Sequence, residues 1–99
     1  MIRKYRINDI PEECYNKTYD IFEFEMEGAY ADKLWLINSD GPIIIEGLSG
    51  DGYCYTDRFD NKMKKLLESI TVNLQCATYN MQLDIDYAKK RYGAIVKTI

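Results

Sequence analysis

Histidine is absent from the 99-residue chain. Without an imidazole, one chain cannot build a Ser-His-Asp or Cys-His nucleophile, and it cannot build a histidine-ligated zinc, copper or non-haem iron site. Acid–base chemistry by carboxylate, tyrosine or lysine stays open, but no motif points to it. We therefore expect a protein that is not an enzyme.

Cysteine is scarce and widely spaced, at Cys14, Cys54 and Cys76. An odd set without a Cys-x-x-Cys pair is typical neither of a disulfide framework nor of a thiolate metal site. The chain also lacks an apolar run of about 18 residues and a secretory pattern behind its first residues. These absences predict reduced thiols, a cytoplasmic location, no membrane association and no bound metal.

An excess of positive charge is missing too. Thirteen Lys and Arg face 16 Asp and Glu, which gives a net charge of −3. Binding to nucleic acid or to anionic lipid therefore has little electrostatic support. A hydrophobic fraction of 46% predicts a folded globule rather than a disordered tail, and the length predicts one domain over residues 1–99.

The most informative pattern present is the alternation over 19–27, Tyr-Asp-Ile-Phe-Glu-Phe-Glu-Met-Glu. On a strand, this spacing places Phe and Met on one side and the three glutamates on the other. Further strands are predicted over 33–38 and 43–47, joined by connections at 28–32 and 39–42. The sequence thus predicts a three-stranded antiparallel meander.

These connection lengths set a pairing in which Phe24 lies opposite Leu36 and Leu36 lies opposite Ile45. The two loop lengths, read separately, then give one consistent apolar side, which a slip of one residue would scramble. The predicted apolar side holds Phe22, Phe24, Met26, Leu34, Leu36, Ile43 and Ile45. The predicted opposite side holds Glu23, Glu25, Glu27, Lys33, Trp35, Ile37, Ile44 and Glu46.

The C-terminal half is predicted to supply one long helix and two further strands. Phe59, Met63 and Ile70 belong to an apolar stripe with helical spacing, which predicts a helix over about 57–76. The alternation over 79–86 predicts a strand, and 94–98 predicts a last one. The fold class is therefore α+β, with the meander packed on the long helix.

A tryptophan and an isoleucine interrupt the polar side of the meander. Trp35 and Ile37 do not belong in a water-facing row, so either another element or a partner is expected to cover them. A simpler interpretation of the glutamates is the solvated side of an antiparallel sheet, with Lys33 neutralising one end. The predicted partner-binding residues are Glu23, Glu25, Glu27, Tyr30, Trp35, Ile37 and Glu46.

The other motifs in the sequence give weaker indications of a functional site. The segment Gly47–Gly52 is glycine-rich but lacks the Gly-Lys-Ser/Thr ending of a phosphate-binding loop. Asp51, Asp57 and Asp60 do not have the spacing of a calcium-binding EF-hand loop. The basic residues at 89–91 fit the C-terminal end of a short helix. We therefore expect no cofactor.

Three functional hypotheses follow. The first is a small acidic binding protein that occludes a protein partner with a basic surface. Immunity proteins that neutralise nuclease toxins, and phage inhibitors of bacterial defence, have this size and charge. The comparison is an analogy with these types of protein only. The second is a homodimer or assembly protein that uses the same sheet face. The third is a small ligand-binding domain that uses the Gly47–Gly52 loop.

Overall fold

The computed structural model describes residues 1–27, 30–46, 57–76 and 79–99, and within them the chain has an α+β fold. Short 3₁₀ turns lie at Ile7–Asp9, Glu12–Cys14 and Leu74–Cys76. The strands are β1 (Arg3–Arg6), β2 (Thr18–Tyr19), β3 (Ile21–Glu27), β4 (Tyr30–Asn38), β5 (Gly41–Glu46), β6 (Thr71–Val72) and β7 (Lys97–Thr98), and the helices are α1 (Asp57–Ser69) and α2 (Tyr79–Tyr92).

The main sheet has four strands in the order β1-β5-β4-β3. Its antiparallel part, β3-β4-β5, is the predicted meander. The first strand joins it in parallel, so that Lys4 lies beside Ile44 and Arg6 beside Glu46. On the inner side of β1, the Tyr5 hydroxyl donates to Glu13 Oε1 at 3.0 Å, which ties the strand to the 3₁₀ turn at Glu12–Cys14.

The β4–β5 hairpin is two residues tighter than the sequence predicts. Leu36 lies opposite Ile43 rather than Ile45, because the strands pair as far as Asn38 and Gly41. Gly41 has a φ of +102°, a left-handed conformation that closes a short hairpin loop and that glycine adopts without strain. Since the error is two residues, each side chain keeps its predicted side of the sheet.

The β3–β4 pairing differs from the predicted one by the same amount. Phe24 lies opposite Leu34, and the pairing shifts between Glu25 and Met26, where the ladder has a bulge. The unpaired residue lies in β4, between Ala31 and Lys33. Of the side chains predicted for the apolar side, Phe22, Phe24, Leu34, Leu36, Ile43 and Ile45 are buried, whereas Met26 is 44% exposed and does not belong to the apolar cluster.

The first helix begins at the predicted residue but ends at Ser69, so the predicted extent of 57–76 was wrong. The β-branched pair Thr71–Val72 forms β6 instead, where it pairs in parallel with β2 and with β7. Branched side chains lose rotamer freedom in a helix and pack well on a strand. The helix therefore stops where this short sheet begins.

The second helix replaces the strand that the alternation over 79–86 predicts, and that prediction was wrong. Met81, Ile85, Ala88 and Tyr92 form its buried stripe. The other apolar members of the alternation, Tyr79 and Leu83, are 80% and 47% exposed. Burial against the sheet thus selected the helical spacing from a segment whose local pattern fitted both structures.

The C-terminal segment forms less strand than predicted. Of the predicted strand over 94–98, only Lys97–Thr98 pairs, with β6. Ala94 and Val96 are buried without belonging to a ladder. Three two-residue strands, β2, β6 and β7, make a second small sheet that the sequence does not predict.

One apolar cluster joins the inner side of the main sheet to both helices. Phe24 lies at its centre, with ring-centroid distances of 5.4 Å to Phe22, 5.2 Å to Tyr87 and 6.3 Å to Tyr92. Edge-on and offset ring pairs at such distances add to the stabilisation that burial supplies. In the described part of the chain, no helix has the length and apolar content needed to cross a bilayer.

Candidate protein-binding face

The side of the main sheet that faces away from the apolar cluster is the candidate site, and we call it the outer face. Trp35 and Ile44 lie on this side, and neither belongs to the cluster. The alternation of side chains along each strand fixes its membership. The outer face holds Lys4 and Arg6 on β1, Pro42, Ile44 and Glu46 on β5, Lys33, Trp35 and Ile37 on β4, and Ile21, Glu23 and Glu25 on β3.

The pairing registers arrange most of these side chains in two rows that cross all four strands. In the first, which we call the Trp row, the order is Lys4, Ile44, Trp35, Glu23. In the second, which we call the ion row, the order is Arg6, Glu46, Lys33, Glu25. Both rows therefore start with a cation on β1 and end with a carboxylate on β3.

The indole of Trp35 is held by its neighbours on the outer face. Its Nε1 donates to Glu25 Oε2 at 3.1 Å, and Lys33 Nζ lies 4.0 Å from the same oxygen. The Glu25 side chain is 52% exposed, so the ion pair with Lys33 contributes little to stability. The role of Glu25 is geometric, because its hydrogen bond with Nε1 fixes the ring plane of the partly exposed Trp35.

A recess of about 330 Å³ opens between Glu23, Glu25 and Trp35. Its walls are an aromatic ring and two exposed carboxylates. A cation over an aromatic face gains from the ring quadrupole, and carboxylates supply charge-assisted hydrogen bonds. The recess can therefore accommodate the head of an arginine or lysine side chain.

The predicted site residues are only partly brought together. Glu23, Glu25 and Trp35 line one recess, and Ile37 is partly exposed on the same face. Glu46 lies across β4 from them, opposite Lys33. The backbones of Glu27 and Tyr30 pair at the end of the β3–β4 ladder, while their side chains fall outside what the structure describes.

Ile44 lies on the side of the sheet that the sequence predicts for it, but it is not exposed there. It lies on the outer face between Lys4 and Trp35, but it is only 2% exposed. Trp35, Ile37 and Pro42 are thus partly exposed apolar side chains of the middle strands, and Ile21, at 38% exposure, adds to them at the edge.

Lys4 and Arg6 belong to the outer face and were missed by the sequence analysis. Both are exposed, and they lie on β1, the strand farthest from Glu23 and Glu25 of β3. The alternation of Lys4 and Arg6 with the half-buried Arg3 and Tyr5 was a usable signal for their side of the strand. The parallel pairing of β1 with β5 joins segments far apart in sequence, so no local pattern places these cations beside Ile44 and Glu46.

A half-buried carboxyl lies at the β3 edge of the sheet. Asp84 of α2 accepts a hydrogen bond from the Phe24 backbone N–H, with Oδ2 3.0 Å from the nitrogen. The pKa of Asp84 is raised to about 6, mainly by burial and in smaller part by nearby Glu23, while the hydrogen bond from the Phe24 N–H opposes the shift. The contact satisfies a backbone donor on an edge strand, which would otherwise be open to pairing with another chain.

A second cavity, of about 630 Å³, lies between the N-terminal turns and the end of α1. Its serine is already engaged, since the Ser69 hydroxyl donates to the Leu66 carbonyl at 2.7 Å and accepts from the Asn16 N–H at 3.3 Å. One cation and one carboxylate, Lys65 and Glu12, share the lining. The cavity therefore has no preference for charge and no activated nucleophile.

The remaining sequence candidates gain no support from the described residues. Cys14 is fully buried, and burial raises the pKa of its thiol, which disfavours the reactive thiolate. Across the described ranges, no group of three or more Cys, Asp or Glu side chains is placed to hold a metal ion. The segment Gly47–Gly52 and the residue Cys54 lie outside the described residues.

Comparison with known proteins gives no family for this chain. No family model, no curated protein and no solved structure matches it. The geometry of the outer face is therefore the basis for a functional proposal.

Proposed function

We propose that this protein is a non-catalytic binding module, which uses its outer face to engage a cationic surface of another polypeptide and acts by occluding it. The observation that carries the proposal is the recess in which a partly exposed indole stands between two carboxylates, Glu23 and Glu25. Tryptophan is prominent among the residues that dominate binding energy at protein interfaces.

The recess is prepared for binding before a partner arrives. Glu25 orients the indole of Trp35 through its hydrogen bond, so little side-chain freedom is lost when a partner binds. Exposed carboxylates at the β3 edge, with a net charge of −3 on the whole chain, attract a basic partner and speed its association. This support is of the kind expected for a small inhibitor of the immunity-protein or anti-defence type, located in the cytoplasm.

The cations on β1 favour a second occupant of the same face, which is another copy of this chain. Lys4 and Arg6 make the outer face dipolar rather than uniformly acidic. A basic partner gains from the β3 side and is repelled by the β1 side, whereas a second copy offers both signs.

Trp35 is the only tryptophan in the chain, so its fluorescence reports on the recess directly. We expect an oligo-arginine peptide to change the emission of Trp35 in a saturable way, and an oligo-glutamate peptide of the same length to leave it unchanged. Glu23→Gln should weaken the peptide affinity several-fold. The matched control is Glu12→Gln, which removes the same charge from an exposed glutamate outside the outer face.

The outcome that contradicts the proposal is equal weakening by the two substitutions, because the peptide would then be sensing only net charge. A silent Trp35 signal throughout an otherwise saturable titration, followed by peptide anisotropy, would place the binding elsewhere. Folding of each variant is checked by circular dichroism, since both glutamates are solvent-exposed and their loss should not unfold the protein.

A further inference from the structure

The outer face is complementary to itself, and this property extends the proposed function by naming a partner. We propose that the outer face binds a second copy of this chain about a two-fold axis that runs parallel to the strands. The inference rests on the proposed function in one respect, which is that the outer face is a protein-binding surface.

The order of charges along the two rows carries this inference. A two-fold axis parallel to the strands, placed between β5 and β4, converts the order β1-β5-β4-β3 into its reverse and keeps each row at its own level. In the Trp row, Lys4 of one copy then faces Glu23 of the other, and Ile44 faces Trp35.

The ion row gives the same result with four charged positions. Arg6 faces Glu25 of the other copy, and Glu46 faces Lys33. Every charged side chain in either row meets the opposite sign, and Trp35 meets the position of Ile44, which is itself only 2% exposed. An isologous interface requires a patch of this kind, in which each residue meets the residue that its own symmetry mate requires.

The other face-to-face arrangement fails on the same charges. A two-fold axis perpendicular to the strands would place β1 over β1 and β3 over β3. Lys4 and Arg6 would then face cations, and Glu23 and Glu25 would face carboxylates. Like charges brought together at an interface cost several kcal/mol, so the charge pattern selects the parallel axis.

The spacing of packed sheets suits the side chains involved. Aligned sheets lie about 10 Å apart, with their strands within roughly 30° of each other. The long side chains of Lys4, Arg6 and Glu25 can meet across that distance. The recess of Glu23, Glu25 and Trp35 then receives the cationic heads of β1 from the other copy.

The size of the face predicts a weak and reversible dimer. Four strands about 4.8 Å apart, each roughly six residues long, present roughly 400 Å² per copy. A stable interface of standard size buries about 800 Å² per partner. We therefore expect self-association in the micromolar range or weaker, which rises with protein concentration and which a basic partner of higher affinity displaces from the recess.

Two charge-reversal variants test this geometry, because each alone should weaken the dimer and a mixture of the two should restore it. Lys4→Glu makes each facing pair of positions 4 and 23 doubly acidic, and Glu23→Lys makes it doubly basic. Each variant alone should associate at least roughly tenfold more weakly than the parent protein in sedimentation equilibrium. An equimolar mixture of the two should regain a species of twice the 11.6 kDa monomer mass, because both facing pairs are then of opposite sign.

Non-specific attraction does not account for that recovery. The net charge is −3 − 2 = −5 for Lys4→Glu and −3 + 2 = −1 for Glu23→Lys, so the two variants repel each other overall. Lys64→Glu, which makes the same charge change at an exposed position of α1, is the matched control and should associate as the parent does. Weakening at about 0.5 M NaCl is also expected, since exposed charges are screened there.

Three outcomes decide between the claims. Recovery in the mixture supports the parallel-axis dimer. A parent protein that stays monomeric from about 10 μM to about 1 mM overturns it, and so does a mixture that stays monomeric while the parent associates. The Lys4→Glu variant retains the recess, so its Trp35 response to oligo-arginine tests the proposed function separately, and that function survives if only the dimer fails.

Discussion

The two sides of the main sheet are built on the same strands and differ in almost every other respect. The inner side is continuous with the apolar cluster of both helices, and Leu34, Leu36, Ile43 and Ile45 have no exposed surface there. The outer side carries charges of both signs around a partly exposed tryptophan.

This difference separates the side chains that stabilise the fold from those of the proposed binding face. Burial of the inner side chains, at about 25 cal/mol per Å² of apolar surface, supplies the stability. The ion pair between Lys33 and Glu25 on the outer side contributes little, since both groups keep contact with water. The outer side is therefore less constrained by folding, and we expect its charges to tolerate substitution without unfolding of the chain.

Adjacent residues on β4 give the largest contrast between the two sides. Leu36→Ala removes a fully buried side chain and should lower the free energy of unfolding by about 2–5 kcal/mol. Ile37→Ala, one residue on and on the outer side, should lower it by less than about 1.5 kcal/mol, because the side chain already meets solvent. Urea denaturation measures both. Similar losses from the two variants would mean that the outer side is packed as the inner side is.

The next largest loss of stability is expected at Gly41, the hairpin glycine that keeps β4 and β5 in register. Gly41→Ala forces a φ of +102° on an L-residue and brings its Cβ to 3.3 Å from the Met1 carbonyl oxygen. We expect a loss of about 1–2 kcal/mol in thermal or urea unfolding. Asp40→Ala, next to it in an exposed position, is the control and should cost less. Full stability of the alanine variant at position 41 would require a different hairpin.

At the β3 edge, where the two sides of the sheet meet, Asp84 makes the stability of the protein depend on pH. Its folded-state pKa of about 6 exceeds the ordinary value of 3.8, so the folded chain holds this proton more tightly than the unfolded chain does. The contribution of Asp84 to stability is therefore greatest below about pH 4, falls as the pH rises to about 6, and stays low above that.

Asp84→Asn should remove that dependence while keeping an acceptor for the Phe24 N–H. At pH 8 the variant should be more stable than the parent by about 1 kcal/mol, a value that allows for partial solvent screening. Near pH 4 the two should converge. A difference that does not vary with pH between 4 and 8, followed by urea denaturation, would show that the charge of Asp84 carries no penalty in the folded state.

The smallest effect on stability, and a large one on binding, is expected at Glu25. Glu25→Gln keeps an acceptor for Trp35 Nε1 and removes the charge near Lys33. The free energy of unfolding should change by less than about 0.5 kcal/mol. Oligo-arginine affinity and self-association should both fall several-fold. A stability loss comparable with that of Leu36→Ala would mean that the outer side helps to fold the protein.

The predictions from sequence succeeded where a pattern is local and has one solution. In the meander, six of the seven side chains placed on the inner side are buried there. Both hairpin registers were nevertheless wrong by two residues. The side of a residue depends only on odd or even spacing, whereas its partner depends on loop geometry, such as the left-handed Gly41.

The predictions failed where a pattern had two solutions. Residues 79–86 alternate as a strand would, yet Met81, Ile85 and Ala88 also have helical spacing. The longer window had the signal, since the stripe continues to Tyr92 and Gly93 follows with a φ of +66°, which is typical of a helix C-terminus. For the candidate site, Glu23, Glu25 and Trp35 were predicted together, and the β1 cations were not.

The sequence by itself determined which side chains share a side of each strand, because the alternation of a strand is a local property of the backbone. It also determined which chemistry is absent, because a chain without histidine cannot use one. The tertiary structure decided between the strand and the helix that the spacing of residues 79–86 permits, and it alone decided that β1 pairs with β5. Both outcomes depend on contacts between residues distant in sequence, whose burial outweighs local preference, and the second puts cations opposite the carboxylates of the outer face.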